Sequence, residues 1–330
     1  MLKNINKNRR CSSSNTYLGK VGITALVPPE IIYGCGWSVE DLNNKIPFTQ
    51  RRPKTKLCAW AALWREMVLS SEFDINKLVV VAGGDCLNTV VEGQKIEMAG
   101  FKTHYFFYPF HKEKGFFSNE LQKLIEFLGG LKDITMFERI HRIKEYGLLL
   151  DRLRVERQLP AETFRYLISF SDLRGDPIQF EKELLSFLKK IEKMESEEGK
   201  IRLALVGVPP INHDFHEACK ELGFQVVFDE LPYEFLRARG KTHEEIVNSY
   251  INYSFARPFR HRLKVIKNEL KKREVDCVVH YTQYACHHIL EDEILRETLD
   301  YPILTVQGDL PGRVSEQTKL RLEAFAEVLK

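Results

Sequence analysis

Residues 77–82 read KLVVVA and lead through two glycines and an aspartate to Cys86. A short apolar run without polar alternation is typical of a strand buried on both faces, as in a parallel sheet covered by helices. A second such run, VDCVVHY at 275–281, ends shortly before Cys286. The two runs predict a central strand in each of two parallel sheets, with a cysteine just past the carboxyl end of each strand.

Strand and helix signals alternate on both sides of these runs. The first region has strand signals at 20–27 and 104–108 and a helical spacing at 59–72. This alternation predicts Rossmann-like parallel sheets joined by right-handed crossovers. The second region has predicted strands at 201–208, 224–229 and 302–306, and predicted helices at 214–222, 258–273, 287–298 and 315–329.

The stretch between the two regions has a different character. Residues 118–198 are charged, helical in period and poor in strand signals, and the Glu- and Lys-rich part at 178–198 predicts an exposed helix. The predicted organisation is an N-terminal α/β domain at 1–117, a helical connection at 118–199 and a C-terminal α/β domain at 200–330.

Composition excludes several classes of function. The chain has 330 residues with 49 Lys and Arg against 46 Asp and Glu, a formal net charge of +3, which argues against nucleic-acid binding through a basic field. No apolar run approaches the ~18 residues of a membrane span. The polar, basic start lacks the apolar segment of a secretory signal, so we expect a cytoplasmic protein. In that reducing setting, clustered cysteines bind metal or carry out redox chemistry more often than they form disulfides.

Three of the seven cysteines occupy positions where parallel sheets collect ligands. Cys86 and Cys286 follow predicted strands, and Cys58 begins a predicted helix. Helix N-termini lower thiol pKa values and so favour the thiolate that binds metal. The three thiols are therefore candidates to meet in a cleft between the domains. Their spacing, 28 and then 200 residues, matches no local metal motif, so inert buried cysteines remain the alternative at this point.

The remaining candidates each have an ordinary structural explanation as well. Cys219 and Cys277 fall inside apolar elements and are interpreted as packing residues, whereas Cys11 lies in a polar tail. Cys35 stands between two glycines, which suits either a plain turn or close approach to a site. His287, next to Cys286, is a candidate proton donor or an ordinary residue of a first helical turn.

Several longer motifs resemble one known family. Residues 22–42 contain an apolar strand followed by a Val-Pro-Pro-Glu-Ile-Ile-Tyr helix, and Cys58 and Cys86 follow. Cys286 is followed by an acidic helix and by Tyr-Pro-Ile-Leu, Gly-Asp and Glu-Gln-Thr segments. This pattern resembles the 2-hydroxyacyl-CoA dehydratase and benzoyl-CoA reductase family, to which the double-cubane cluster proteins belong. It covers both α/β regions and leaves the helical middle without a matching motif.

The resemblance implies an oxygen-sensitive iron–sulfur protein of anaerobic metabolism. Cys58, Cys86 and Cys286 would hold a [4Fe–4S] cubane with one iron free of protein cysteine, either singly or bridged into a double-cubane [8Fe–9S] cluster. The implied activity is that of a radical 2-hydroxyacyl-CoA dehydratase, a lyase, or of a related ATP-dependent reductase, with an acyl-CoA thioester bound at the open iron. The alternative is a cluster-carrying or electron-relay subunit without its own catalysis.

The resemblance also implies partners, and two residues complicate it. The electron would come from a separate ATP-hydrolysing iron–sulfur activase, and the chain would form a homodimer or a heterodimer with a paralogous subunit. Cys35 stands where the family usually has an alanine-like residue, so it is a possible fourth ligand that would close the open iron. Glu30 falls on the glutamate of the family motif, either as a proton carrier or as a first-turn residue that stabilises the helix dipole.

Overall fold

The computed structural model describes residues 17–55, 57–83, 86–194 and 201–329. Cys11, Asp85 and the end of the predicted exposed helix at 195–198 lie outside these residues. The described part contains two four-stranded sheets, and every pairing within them is parallel. The predicted fold class, α/β with two Rossmann-like parallel sheets, is confirmed.

The first sheet has the strand order β2-β1-β3-β4. A 3₁₀ helix at Leu42–Phe48 follows β2. The other elements of this region are β1 at Lys20–Ile23, α1 at Pro29–Gly34, β2 at Ser38–Asp41, α2 at Ala59–Leu69, β3 at Lys77–Gly83, α3 at Leu87–Met98 and β4 at Thr103–Phe107.

The described part of the middle of the chain contains four α-helices, as its composition predicts. They are α4 at Lys114–Leu128, α5 at Thr135–Glu156, α6 at Glu162–Ile168 and α7 at Pro177–Glu192. The prediction of an exposed helix at 178–198 is wrong for α7, because one side of α7 is buried. Phe180, Leu184 and Ile191 recur at helical spacing and pack into the core, while the Glu and Lys residues cover the other face.

The second sheet has the order β6-β5-β7-β8, which repeats the arrangement of the first. A 3₁₀ turn at His287–Glu291 follows β7. The other elements are β5 at Ile201–Gly207, α8 at Phe215–Glu221, β6 at Phe224–Asp229, α9 at Glu230–Arg237, α10 at His243–Tyr250, α11 at Phe259–Lys272, β7 at Cys277–Gln283, α12 at Asp292–Thr298, β8 at Ile303–Gly308 and α13 at Glu316–Val328.

Two features of the first sheet differ from the prediction. Strand β1 ends at Ile23 and not at residue 27, because the Thr24 hydroxyl accepts the backbone N–H of Val81 (3.1 Å) in place of the next strand pairing. Strand β2 was not predicted at all. Its four residues are polar or charged except for Val39, yet all four are buried under the helical middle.

Hydrophobic cores cover the sheets on both faces, which explains the apolar runs of β3 and β7. One core extends from the first sheet through α4, α5 and α7 to α9 and α10. The division at 1–117, 118–199 and 200–330 stays a prediction. Of the helices described, none has both the length and the apolar character needed to cross a membrane.

Candidate metal centre

A pocket of about 1210 Å³, open solvent at its mouth included, lies where residues of both sheets and of α6 come together. Most of its walls are apolar, with Trp64, Phe235 and Phe255 among the aromatic contributors. Cys58, Cys86 and Cys286 all line this pocket. The structure therefore brings together three cysteines that are widely separated in the sequence.

The strand order explains why these cysteines meet. Cys86 follows β3 and Cys286 follows β7, which occupy equivalent places in the two sheets. Cys58 is the N-cap of α2, and each of the other two also precedes a helical turn directly. Asn88, on α3, donates its side-chain N–H to the carbonyl of Ala285 (3.2 Å), which links the two cysteine-bearing turns.

Burial has the largest effect on the pKa of two of these thiols. It raises the pKa of Cys58 to about 11 and that of Cys286 to about 12, although backbone N–H groups of Trp60, Ala61 and His288 act in the opposite direction. The expected lowering of thiol pKa at a helix N-terminus is therefore outweighed by desolvation at both sites. Metal binding to such thiols requires the release of their protons.

Two histidines extend the donor set next to Cys286. The Sγ atom of Cys286 and one ring nitrogen each of His287 and His288 lie within 4.8 Å of one another. His287 is exposed and lines the pocket, and its ring is tilted against that of His288 with ring centroids 4.1 Å apart. The structure thus places His287 beside the cysteine where the sequence predicts a proton donor, and its catalytic role stays a prediction.

An ionic network behind the pocket holds the turn that carries His288. The buried Arg262 guanidinium binds Glu230 through two hydrogen bonds (2.6 and 2.9 Å) and also donates to Glu291 (2.5 Å). Its Nη1 donates to Nδ1 of His288 (2.9 Å) as well. The same Nδ1 lies 2.9 Å from Oε2 of Glu291. The network holds the orientation of this ring between a guanidinium and a carboxylate.

Glu30 and Cys35 do not line the pocket. The Glu30 carboxylate is fully buried, 3.2 Å from the ammonium of Lys144, and accepts the Tyr250 hydroxyl (2.6 Å). Its surroundings are those of an internal ion pair that joins α1, α5 and α10. Cys35 packs in the core beside α1, where burial raises its pKa to about 11. We therefore leave Cys35 out of the ligand set proposed below.

Sequence reasoning missed several polar residues of the pocket wall. Asp41 ends β2 and lines the pocket. Had the sequence predicted β2, the position of Asp41 at a strand end would have marked it as a candidate. Trp60 also lines the pocket, and its buried indole N–H has no hydrogen-bond partner among the described residues. The same is true of Oε1 of Gln283, the last residue of β7.

This donor set fits an iron–sulfur cluster. Thiolates are the protein ligands of such clusters, and three of them are provided here in a largely apolar pocket. A buried N–H group without a partner suits a group that brings hydrogen-bond-accepting sulfur into the pocket. The residues present therefore fit the cofactor that the resemblance implies.

Comparison with known proteins agrees with this interpretation. Residues 24–329 match the family described as 2-hydroxyglutaryl-CoA dehydratase, D-component. A search of curated proteins gives no match. The family match begins directly after β1 and includes β2, β3 and β4 of the first sheet, the helical middle and the second sheet. It includes every residue that lines the pocket. The chain belongs to the 2-hydroxyglutaryl-CoA dehydratase D-component family and is a component of the 2-hydroxyacyl-CoA dehydratase type.

Proposed function

We propose that the chain is the cluster-carrying catalytic subunit of an activase-dependent system that acts on an acyl-CoA thioester, as a radical 2-hydroxyacyl-CoA dehydratase or a related low-potential reductase. Cys58, Cys86 and Cys286 are the proposed ligands of a [4Fe–4S] cluster. The observation that carries the proposal is that these three thiols, two from the first sheet and one from the second, line one pocket. When bound, such a cluster supplies a low-potential electron and an iron that accepts an oxygen ligand.

The rest of the pocket has two tasks in this proposal. Its aromatic walls, which include Trp64, Phe235 and Phe255, exclude water from the reacting groups and so strengthen electrostatic interactions among them. Its open mouth admits a thioester whose carrier remains outside. Arg262 acts as a positioning residue, because it fixes the His288 ring beside Cys286.

The proposed partners follow from the family. A D-component implies at least one further component. We propose that a homologous subunit completes the enzyme and that a separate ATP-hydrolysing iron–sulfur activase delivers the electron. A single cubane in each subunit and a double cubane shared through a bridging sulfide are both compatible with three cysteine ligands, and iron and sulfide counts distinguish them.

Anaerobic purification with iron and sulfide analysis tests the cofactor. We expect about four iron and four sulfide per chain for a single cubane. Cys58→Ala, Cys86→Ala and Cys286→Ala should each remove the cluster spectrum. Cys219→Ala and Cys277→Ala are the matched controls, since both thiols are buried in the core of the second sheet and should leave the iron content unchanged. A colourless, iron-free protein from an iron-replete anaerobic host would overturn the proposal.

Turnover tests the catalytic role separately. The loaded protein, a purified activase, ATP and the homologous subunit are combined with a panel of 2-hydroxyacyl-CoA and aryl-CoA esters. Loss of water from, or reduction of, one of these thioesters supports the proposal. A protein that carries the cluster and accepts an electron but converts none of the panel would instead be an electron-relay subunit.

A further inference from the structure

A pair of aspartates meets at the wall of the pocket. Asp41 is the last residue of β2, so it lies at the carboxyl edge of the first sheet, where Cys86 also follows its strand. Asp172, from the helical middle, accepts the backbone N–H of Asp41 through Oδ2 (3.1 Å). The residues are only 4% and 6% exposed, respectively. The Asp172 carboxyl therefore lies against the backbone of Asp41, close enough for the charge of the Asp41 carboxyl to act on it.

Neutral groups provide the hydrogen bonds to these two carboxyls. Asp41 Oδ1 accepts the backbone and side-chain N–H groups of Asn43 (3.0 and 2.9 Å). Asp172 accepts the side-chain N–H of Asn44 (3.1 Å) and the backbone N–H of Arg174 (2.9 Å). Among the residues that the structure describes, neither aspartate forms a salt bridge with a lysine, arginine or histidine.

The charged groups around the two aspartates do not neutralise their negative charge. Glu40, on β2, is itself acidic and its carboxylate is occupied by Lys20 and Lys45. The guanidinium of Arg174 is turned away to Glu183 (3.0 Å). Tyr33 of α1 donates its hydroxyl to the Asp172 carbonyl. The exposed Asp176 acts on Tyr33, and Arg165 lines the pocket without an ion pair to either aspartate among the described residues.

Two adjacent buried carboxylates without a cation are costly to ionise together. Burial first, and the charge of Asp41 second, raise the pKa of Asp172 to about 7. Burial also raises the pKa of Asp41, against the hydrogen bonds from Ser171 and Asn43. The arrangement therefore retains one proton near neutral pH.

A second observation shows that this pocket is built to receive polar groups. Gln283, only 1% exposed, lines the pocket and has no hydrogen-bond partner for Oε1 among the described residues. A buried acceptor in this condition is rare unless a ligand or water completes it. The pocket that Asp41 lines thus offers a ligand with polar groups an unused acceptor at Gln283.

We propose that Asp41 and Asp172 share one proton at neutral pH and that Asp41 passes it to an oxygen of the ligand in this pocket. The O–H bond of the carboxyl breaks as an O–H bond on the ligand forms, which leaves both carboxyls ionised until water returns a proton. This inference rests on the proposed function only for the identity of the ligand oxygen, which belongs to the acyl-CoA thioester or its hydroxyl group.

Infrared titration of the wild-type protein tests the shared proton without any substrate. The C=O band of a protonated carboxyl should persist above pH 6 and disappear around pH 7. Asp172→Asn should remove this late-titrating band, whereas Asp41→Asn should move its disappearance to lower pH, because it removes the charge of Asp41 and leaves Asp172 buried. Asp176→Asn is the matched control, because Asp176 also caps a helix through its side chain but is exposed and does not line the pocket. Full ionisation of every carboxyl by pH 6 would overturn the shared proton.

Kinetics then test the transfer step. We expect Asp41→Asn to lower kcat by about 10²-fold or more with the iron content unchanged, because general acid–base groups contribute about 10²–10⁴-fold. The pH profile should also lose its inflection near 7, which a merely structural role would not remove. Asp41→Asn with wild-type turnover and profile overturns the transfer. If the wild-type protein converts no thioester, the proposed function and the transfer both fail, while the infrared result still decides whether the proton is shared.

Discussion

The two sheets of the molecule share one strand order but surround equivalent strand ends with different chemistry. In both, the third strand along the chain, β3 or β7, leads to a cysteine that begins a helical turn. The first sheet adds a second thiol, Cys58, and the carboxyl of Asp41. The second sheet adds no further thiol to the pocket and instead supports Cys286 with the ionic network of Arg262.

This difference separates what topology provides from what side chains provide. Parallel pairing in the same order gives β3 and β7 corresponding positions in their sheets, and the carboxyl ends of such strands are where ligands collect. Local residues then decide the chemistry, with thiols and carboxyls on one side and a charged network on the other.

The largest expected loss of folding stability comes from a substitution beside the second sheet. Arg262→Leu leaves the buried carboxylate of Glu230 and the partly buried carboxylate of Glu291 without their cation, which should lower the free energy of unfolding by about 3–5 kcal/mol. Denaturant unfolding measures it. The control is Arg296→Ala, since the ion pair of Arg296 with Asp292 is half exposed and should cost about 1 kcal/mol or less. Equal losses in the two variants would show that the buried network does not hold the Cys286 turn.

The corresponding change next to the first sheet is Lys144→Met. It removes the cation that faces Glu30 inside the core and should cost about 3 kcal/mol, somewhat less than Arg262→Leu because one carboxylate and not two is left unpaired. The double variant Glu30→Gln with Lys144→Met should recover part of this loss. A double variant as unstable as Lys144→Met alone would contradict the role of the unpaired charge.

The aspartate pair predicts a stability that depends on pH. The pKa of Asp172 is about 7 in the folded chain and near 4 in an unfolded one, so between these values the folded state binds more protons. Folding stability should therefore fall as pH rises from about 4 to about 7, by up to about 1.4 kcal/mol per pH unit. Asp172→Asn should flatten this dependence in urea unfolding at pH 5, 6, 7 and 8. A wild-type stability that rises over this interval relative to the variant would contradict an elevated pKa.

The smallest effect concerns how helices begin in the two regions. The side chain of Ser315 caps α13 by accepting the backbone N–H of Thr318 (3.2 Å), whereas Cys58 and Cys86 begin α2 and α3 without a side-chain cap. Ser315→Ala should therefore cost about 1 kcal/mol. Thermal unfolding measures this loss, and Lys319→Ala on the exposed face of the same helix is the control. A change no larger than that of the control would show that the cap contributes nothing.

Much of this arrangement is predictable from sequence because its central strands are apolar on both faces. The runs that become β3 and β7 identify both sheets, and the cysteines that follow them identify two residues of the pocket wall. The family motifs add Cys58 to the same set. In each of these cases a local pattern carries the information.

The rest depends on contacts that no local pattern records. Strand β2 is short and polar, and its burial comes from the helical middle, so neither it nor Asp41 at its end has a strand signature. Asp172 lies in that middle, where no motif suggests a site. For Glu30 a local pattern is present but the predicted site is not. This motif residue lies in an internal ion pair with Lys144 and does not line the pocket.

The contact of Glu30, Lys144 and Tyr250 bears on how the chain divides into autonomous pieces. These residues come from α1, α5 and α10, and the surrounding hydrophobic core is continuous across the same elements. A fragment that ends at residue 117 would keep the whole first sheet. Its buried Glu30 carboxylate would lose Lys144 and Tyr250, and one face of its hydrophobic core would be exposed to water. The repeated strand order is therefore a unit of architecture, and we expect the shortest piece that folds and resists proteolysis to extend at least to α10.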